Sequence, residues 1–148
     1  MTSSEITMLV KKSSLNIGMK KIFERVVTEE DLIQFAKVSE DYNPLHMNSE
    51  VAQKHFFKER IMHGTFVDSV ISAGLANHLP GPGTVLLSIS IKYRKPVKIG
   101  DKLMVTLRIS EFLKNNKILV KVEVNNQNND VVSIADVVVV LITDLENS

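Results

Sequence analysis

Between Gly64 and His78 the chain reads GTFVDSVISAGLANH, apolar or small at nearly every position, and from Val85 onward apolar and polar residues alternate instead. A helical segment without a polar face is expected to be buried all round. Pro80, Gly81, Pro82 and Gly83 follow and cannot continue a helix. Beyond them the period is that of half-buried strands. Val85, Leu87, Ile89, Ile91 and Tyr93 alternate with Ser88, Ser90, Lys92 and Arg94; Leu103, Val105, Leu107 and Ile109 alternate with Lys102, Thr106, Arg108 and Ser110. A third strand carries Ile118, Val120, Val122 and Val124 after a turn at Lys114-Asn115-Asn116, where asparagine tolerates a left-handed conformation. The last, Val131 to Thr143, is apolar on both faces over Val137 to Ile142 and predicts a central strand; the polar patch Asn125 to Asp130 before it predicts a loop tip. The whole predicts one buried helix followed by a four-strand antiparallel meander, an α+β architecture in which a curved sheet wraps the helix.

Upstream, Lys20 to Val27 predicts a further strand that completes the sheet. Thr28 then opens TEED, with Asp31 three residues on, as in a capping box, and the helix that follows turns Leu32, Phe35 and Ala36 inward. Pro44 keeps that helix from running on, which predicts an irregular segment over Ser39 to Met47 and a short helix from Ser49 to the Phe56-Phe57 pair. A chain of 148 residues is one domain's worth, with an N-terminal extension over 1–16 and a single domain over 17–148. Its 18 Lys+Arg against 17 Asp+Glu exclude the strong basic field of a nucleic-acid binder, and its lack of cysteine excludes disulfides, thiolate metal sites and a cysteine nucleophile. No apolar run approaches the ~20 residues of a membrane span, and Met8 to Val10 is too short for a signal-peptide core. A soluble, cytoplasmic protein without membrane or nucleic-acid partners is the expectation.

Two short stretches could carry chemistry. In SEDYNPLHMN, Asp41 and His46 stand five residues apart in a loop stiffened by Pro44, and a histidine beside a carboxylate is a recurrent acid/base arrangement; equally, Asp41 could cap a turn and His46 be a satisfied histidine. At His63-Gly64-Thr65 the long helix begins. Glycine there lets a ligand approach the backbone, and the free N–H groups of a helix N-terminus can hold an oxyanion, although a plain helix start has the same sequence.

Taken together, Asp41-x-Asn43-Pro44-Leu45-His46, Arg60-Ile61-Met62-His63-Gly64, Ser72, Leu79-Pro80-Gly81-Pro82-Gly83 and Pro96-Val97-x-x-Gly100-Asp101 resemble the MaoC-like (R)-specific enoyl-CoA hydratases and 3-hydroxyacyl-thioester dehydratases. The resemblance covers roughly Gly18 to Thr143. It implies a hot-dog fold, a five-stranded antiparallel sheet around the Gly64 to His78 helix, in a homodimer, with higher oligomers open. It implies Asp41 and His46 as the catalytic pair, with the Gly64 N–H on the thioester carbonyl. Asn43 would fix the Asp/His loop, Ser72 would offer a hydroxyl from the helix, and His63 would hold the helix entrance. The substrate would be an acyl-CoA or acyl-carrier-protein thioester, with no metal, flavin or nucleotide cofactor.

Two features go beyond that pattern. Asp68 shares a helix face with Ser72, and a carboxylate on this helix resembles those of hot-dog thioesterases, which leaves an acyl-CoA thioesterase built on Asp68 as a rival reading; the other rival is a non-catalytic acyl-thioester-binding module. Lys92, Arg94, Lys95 and Lys98 could meet CoA phosphates or an acidic carrier protein, or simply be a solvated face.

Overall fold

The computed structural model describes residues 8–146, so Met1 to Thr7 of the expected extension lie outside the described residues. The remainder of that stretch rests on the domain: the Val10 N–H donates to Pro82 O at 2.9 Å and Leu15 is buried. A first strand, β1, runs Lys20–Val26. Thr28 Oγ1 then accepts from the Asp31 N–H and Asp31 Oδ2 from the Thr28 N–H, at 3.1 and 2.9 Å, and helix α1 follows over Glu29–Ser39. Burial pushes the Asp31 carboxyl up, but bonds from Thr28 and from the Arg25 guanidinium at 2.6 Å outweigh it and hold the group below its ordinary range. Because the folded value is the lower one, this support for α1 is complete above the unfolded aspartate value and is lost as the pH falls through the folded one.

The segment expected to be irregular contains a turn of helix, α2, over Pro44–Met47. Proline does stop α1, but its fixed φ and missing N–H also suit the first position of a new helix, which Asn43 caps. Asn48 caps α3 (Ser49–Lys54), which ends short of Phe56, and the long helix α4 spans Gly64–Asn77. The remaining elements are β2 (Thr84–Tyr93), β3 (Lys102–Phe112), β4 (Ile118–Asn125), β5 (Val131–Leu141) and a terminal turn α5 over Ile142–Leu145, where the strand was expected to reach Thr143. Asn115 and Asn116 are both left-handed, at φ 59° and 60°, and make the β3–β4 turn.

The strands form one antiparallel sheet in the order β1-β3-β4-β5-β2. This corrects the four-strand meander: only β3, β4 and β5 are sequential neighbours. β1 occupies the free edge of β3, Val26 opposite Lys102 and Lys20 opposite Arg108, so β2 pairs with β5 at the far edge. The segment 94–101 therefore crosses about 14 Å, three strand spacings, from β2 to β3. It is pinned on the way by the Met62 N–H, which donates to Val97 O at 2.7 Å. β5 is paired on both sides, as its two apolar faces predict.

α4 lies across the concave face, its Phe66, Val67, Val70, Ile71, Gly74 and Leu75 against Leu103, Val105, Leu107 and Ile109 of β3 and the inward residues of β4 and β5. Gly74 permits the close approach. A Cβ there would stand 2.6 Å from Phe23 Cε1 and 3.2 Å from Leu107 Cδ1. The expectation that this helix is buried all round is corrected: Thr65, Ser69, Ser72, Ala73 and Ala76 are exposed, because the sheet curls round one side of α4 and these small residues form the other. The architecture is the hot-dog arrangement the resemblance implies. Among the described residues no helix is long and apolar enough to cross a membrane.

Candidate active site

The loop after α1 is built by side chain to backbone bonds. Glu40 turns the chain with φ 60°, the Ser39 hydroxyl accepts from the Asp41 N–H, and Asp41 Oδ1 accepts from the Asn43 N–H at 3.1 Å. Asn43 Oδ1 in turn accepts from the Leu45 N–H at 3.1 Å, starting α2 and carrying His46 inward. Asp41 thus stays exposed, whereas His46 is 7% exposed. His46 Nδ1 lies 2.7 Å from Ile61 O. A carbonyl only accepts, so Nδ1 carries the proton and Nε2 keeps a lone pair.

His63, immediately before α4, is 1% exposed and makes the same kind of bond: its Nε2–H donates to Asp41 O at 2.9 Å, which leaves Nδ1 as an acceptor. Its ring packs on His46 with centroids 4.1 Å apart and against Phe35 at 5.1 Å. His63 therefore positions Asp41 through the backbone, which explains why it caps α4 with no side-chain bond of its own. One carboxylate oxygen of Asp41 and one nitrogen each of His46 and His63 lie within 4.8 Å of one another. Two acceptors sharing a single water stand about 4.5 Å apart, a separation inside the 4.8 Å that encloses one ligand atom of Asp41 and one of His46. The three residues are also the group among the described residues that could ligate a metal ion.

Gly64 follows at the exposed start of the 14-residue helix α4, where the first N–H groups have no partner in the helix and its dipole is positive. A Cβ at Gly64 would stand 3.6 Å from the Tyr93 ring, in ordinary contact with it. His63 and Gly64 border a cavity of about 290 Å³ with Met62, Val67, Val97 and Val132 along it and Arg94 and Lys95 at its rim. A wider groove of about 410 Å³ opens on the opposite sheet face beside Lys92, Arg108 and Lys121, away from the Asp/His group.

Other sequence candidates are placed elsewhere. Ser72 is eight residues beyond Gly64, about 12 Å along the axis, and exposed; it lies outside the cavity lining, as Asp41 and His46 themselves do. Asp68 is not a free carboxylate: the Tyr93 hydroxyl donates to its Oδ1 at 2.7 Å, and burial together with Asp68 pushes the Tyr93 hydroxyl up to about 12. The four basic residues do not share a face. Lys98 pairs with Glu59 at 2.9 Å, Lys95 with Asp130 at 3.1 Å, Arg94 reaches the cavity rim and Lys92 turns to the outer groove. Sequence reasoning missed Tyr93, read only as a strand residue, and the carbonyls of Ile61 and Asp41 that orient the imidazoles; a bond to a backbone carbonyl leaves no mark in residue type.

Residues 12–132 match the family described as MaoC like domain. A 3-hydroxybutyryl-CoA dehydratase of Methylorubrum extorquens is 35% identical over 99 residues, 67% of this chain and 63% of that protein, so the match spans less than two thirds of the relative's length. An (R)-specific enoyl-CoA hydratase of Rhodospirillum rubrum is 37% identical over 100 residues, covering 68% of this chain and 69% of the relative. Among solved structures, the R-hydratase PhaJ1 from Pseudomonas aeruginosa in the unliganded form is similar with a TM-score of 0.85 at 36% identity, over 90% of this chain and 86% of that one.

Proposed function

The chain belongs to the MaoC-like domain family, and from that premise we propose that it is a hydro-lyase, adding water reversibly to trans-2-enoyl thioesters to give (R)-3-hydroxyacyl thioesters. The observation that carries this reading is the approach, within 4.8 Å, of the Asp41 carboxylate and His46, next to the N-terminus of α4. Hydration needs a nucleophilic water at C3, a proton at C2 and stabilisation of the charge that grows on the thioester oxygen. Asp41 and His46 Nε2 accept the two O–H groups of one water and leave its oxygen lone pair for C3. The pair takes one proton as the C3–O bond forms and returns it to C2 from the same side, so both new bonds are made on one face. The Gly64 N–H meets the thioester oxygen as it becomes enolate-like; a fixed donor of this kind contributes about 3 kcal/mol, or roughly 10² in rate. Water and thioester suffice for these steps, so no cofactor takes part.

Small-molecule sites generally enclose about 300–1,000 Å³, so the 290 Å³ cavity suits a short acyl chain. Arg94 and Lys95 at the rim suit a phosphate-bearing carrier, CoA or the phosphopantetheine of a carrier protein. The absence of cysteine fits work in a reducing compartment such as the cytoplasm. The similarity to a 3-hydroxybutyryl-CoA dehydratase and an (R)-specific enoyl-CoA hydratase favours hydration over the thioesterase reading, and Asp68 has one carboxylate oxygen tied to Tyr93.

The protein works as a dimer in this reading. β2 is an open edge whose Leu86, Leu87 and Tyr93 are nearly half exposed, and α4 leaves a face of small residues uncovered. Sedimentation is expected to return twice the mass of one chain, and a monomer at micromolar concentration would contradict the dimer. For the activity, purified protein with crotonyl-CoA is expected to lose the conjugated enoyl-thioester absorbance while free thiol stays constant; thiol release in step with the absorbance change would return the chemistry to a thioesterase.

A further inference from the structure

We infer that Asp41, His46 and His63 form a binding site for a divalent transition-metal ion of the zinc class, and that the ion, once bound, switches the hydration off. The reacting water has two O–H groups, and Asp41 and His46 accept both. His63 Nδ1 is then left over: it is buried in a residue 1% exposed and has no hydrogen-bond partner. Water cannot use a third acceptor, whereas a metal ion takes several lone pairs at once.

The donor set matches that use. In the neutral rings the Ile61 carbonyl selects the His46 tautomer with its lone pair on Nε2 and the Asp41 carbonyl the His63 tautomer with its lone pair on Nδ1, the kind of outer bond that orients imidazoles toward a metal. Two imidazoles and one carboxylate suit zinc, cobalt or nickel, and suit magnesium or calcium poorly, since those prefer sets made of oxygen alone. Three protein ligands with a fourth position open to solvent is a common zinc arrangement. Bonds of about 2.0–2.1 Å place tetrahedral ligand atoms about 3.4 Å apart and the centroids of two ligating imidazoles about 5 Å apart, so one ligand atom of each residue, now within 4.8 Å of the others, draws in by little more than an ångström while the rings of His46 and His63, now 4.1 Å apart, splay. The exposed Asp41 turn moves with them. Once the ion holds Asp41 and His46, neither can accept a proton from water.

The binding half of this inference stands on its own; the inhibitory half rests on the hydratase reading. The test uses the untagged full chain. Zn²⁺ affinity is measured by competition with a chromogenic chelator, and Co²⁺ is added separately to read the visible bands of low-coordinate cobalt. One ion per chain is expected. Asp41→Asn, His46→Asn and His63→Asn should each weaken binding by at least about 100-fold, while His78→Asn, which alters an exposed histidine stacked on Phe23, should leave it unchanged. Should the buried His63 variant fail to fold, the exposed Asp41 variant decides. Absence of saturable binding, or full affinity in Asp41→Asn, would overturn the site. With Zn²⁺ saturating, crotonyl-CoA hydration should fall by roughly 10² or more and return on chelation. Zinc bound without loss of hydration would overturn the switch, and zinc bound to a protein that never hydrates would overturn the hydratase reading and leave the site standing.

Discussion

Asp41→Asn is expected to lower kcat for enoyl-thioester hydration by roughly 10²–10⁴ with KM little changed. The substitution is chosen for what it keeps. An asparagine Oδ1 still accepts from the Asn43 N–H, so the turn that leads into α2 survives while the charge that polarises water is lost. His46→Asn should have an effect of the same order, because its amide N–H can sit where Nδ1–H meets Ile61 O but nothing replaces the Nε2 lone pair. If the pair acts on one water as proposed, the double variant should be only slightly worse than either single one. Steady-state rates on folded protein decide this, and near-parental kcat in both single variants would remove the pair from the mechanism.

The second large effect concerns the platform under the site. Leu107 is fully buried in β3 between Lys21 and Val122, and its Cδ1 reaches to within 3.2 Å of where a Gly74 Cβ would be. It fills the space where α4 presses closest to the sheet. Leu107→Ala leaves a cavity there and should cost about 2–5 kcal/mol, a large share of a typical 5–15 kcal/mol. Urea midpoints at one fixed protein concentration measure it, since the proposed dimer would couple stability to concentration. A loss below about 1 kcal/mol, the range of a surface change, would mean that helix and sheet are not packed as described.

What the sequence made legible follows the range of the forces involved. Local signals held: the Thr28/Asp31 capping box, the left-handed Asn115 and Asn116, and the period-2 strands all depend on residues within a few positions of one another. Strand order did not, because nothing in the alternation of β2 says that β1 has taken the edge of β3. The uncovered face of α4 was misread for a related reason, since alanine and serine suit a buried surface and a small-residue contact surface equally. In the site, the string that brings Asp41 and His46 near one another could be read from the sequence, and Asn43 caps α2 within it. The bond from His63 to the Asp41 carbonyl joins residues 22 apart through a backbone atom, and the Tyr93 to Asp68 bond joins elements 25 apart; neither has a pattern in residue spacing.

The central claim is that one water, held between Asp41 and His46, supplies both the hydroxyl and the proton to a single face of the substrate. Hydration of crotonyl-CoA in D₂O reads this directly through the configuration at C3 and the position of deuterium at C2. The expected product is the (R)-3-hydroxy thioester with one deuterium at C2, on the same face as the new hydroxyl. Deuterium on the opposite face would contradict it, because a water fixed at one point cannot serve both sides of the double bond, whereas an (S) product would overturn only the (R) assignment.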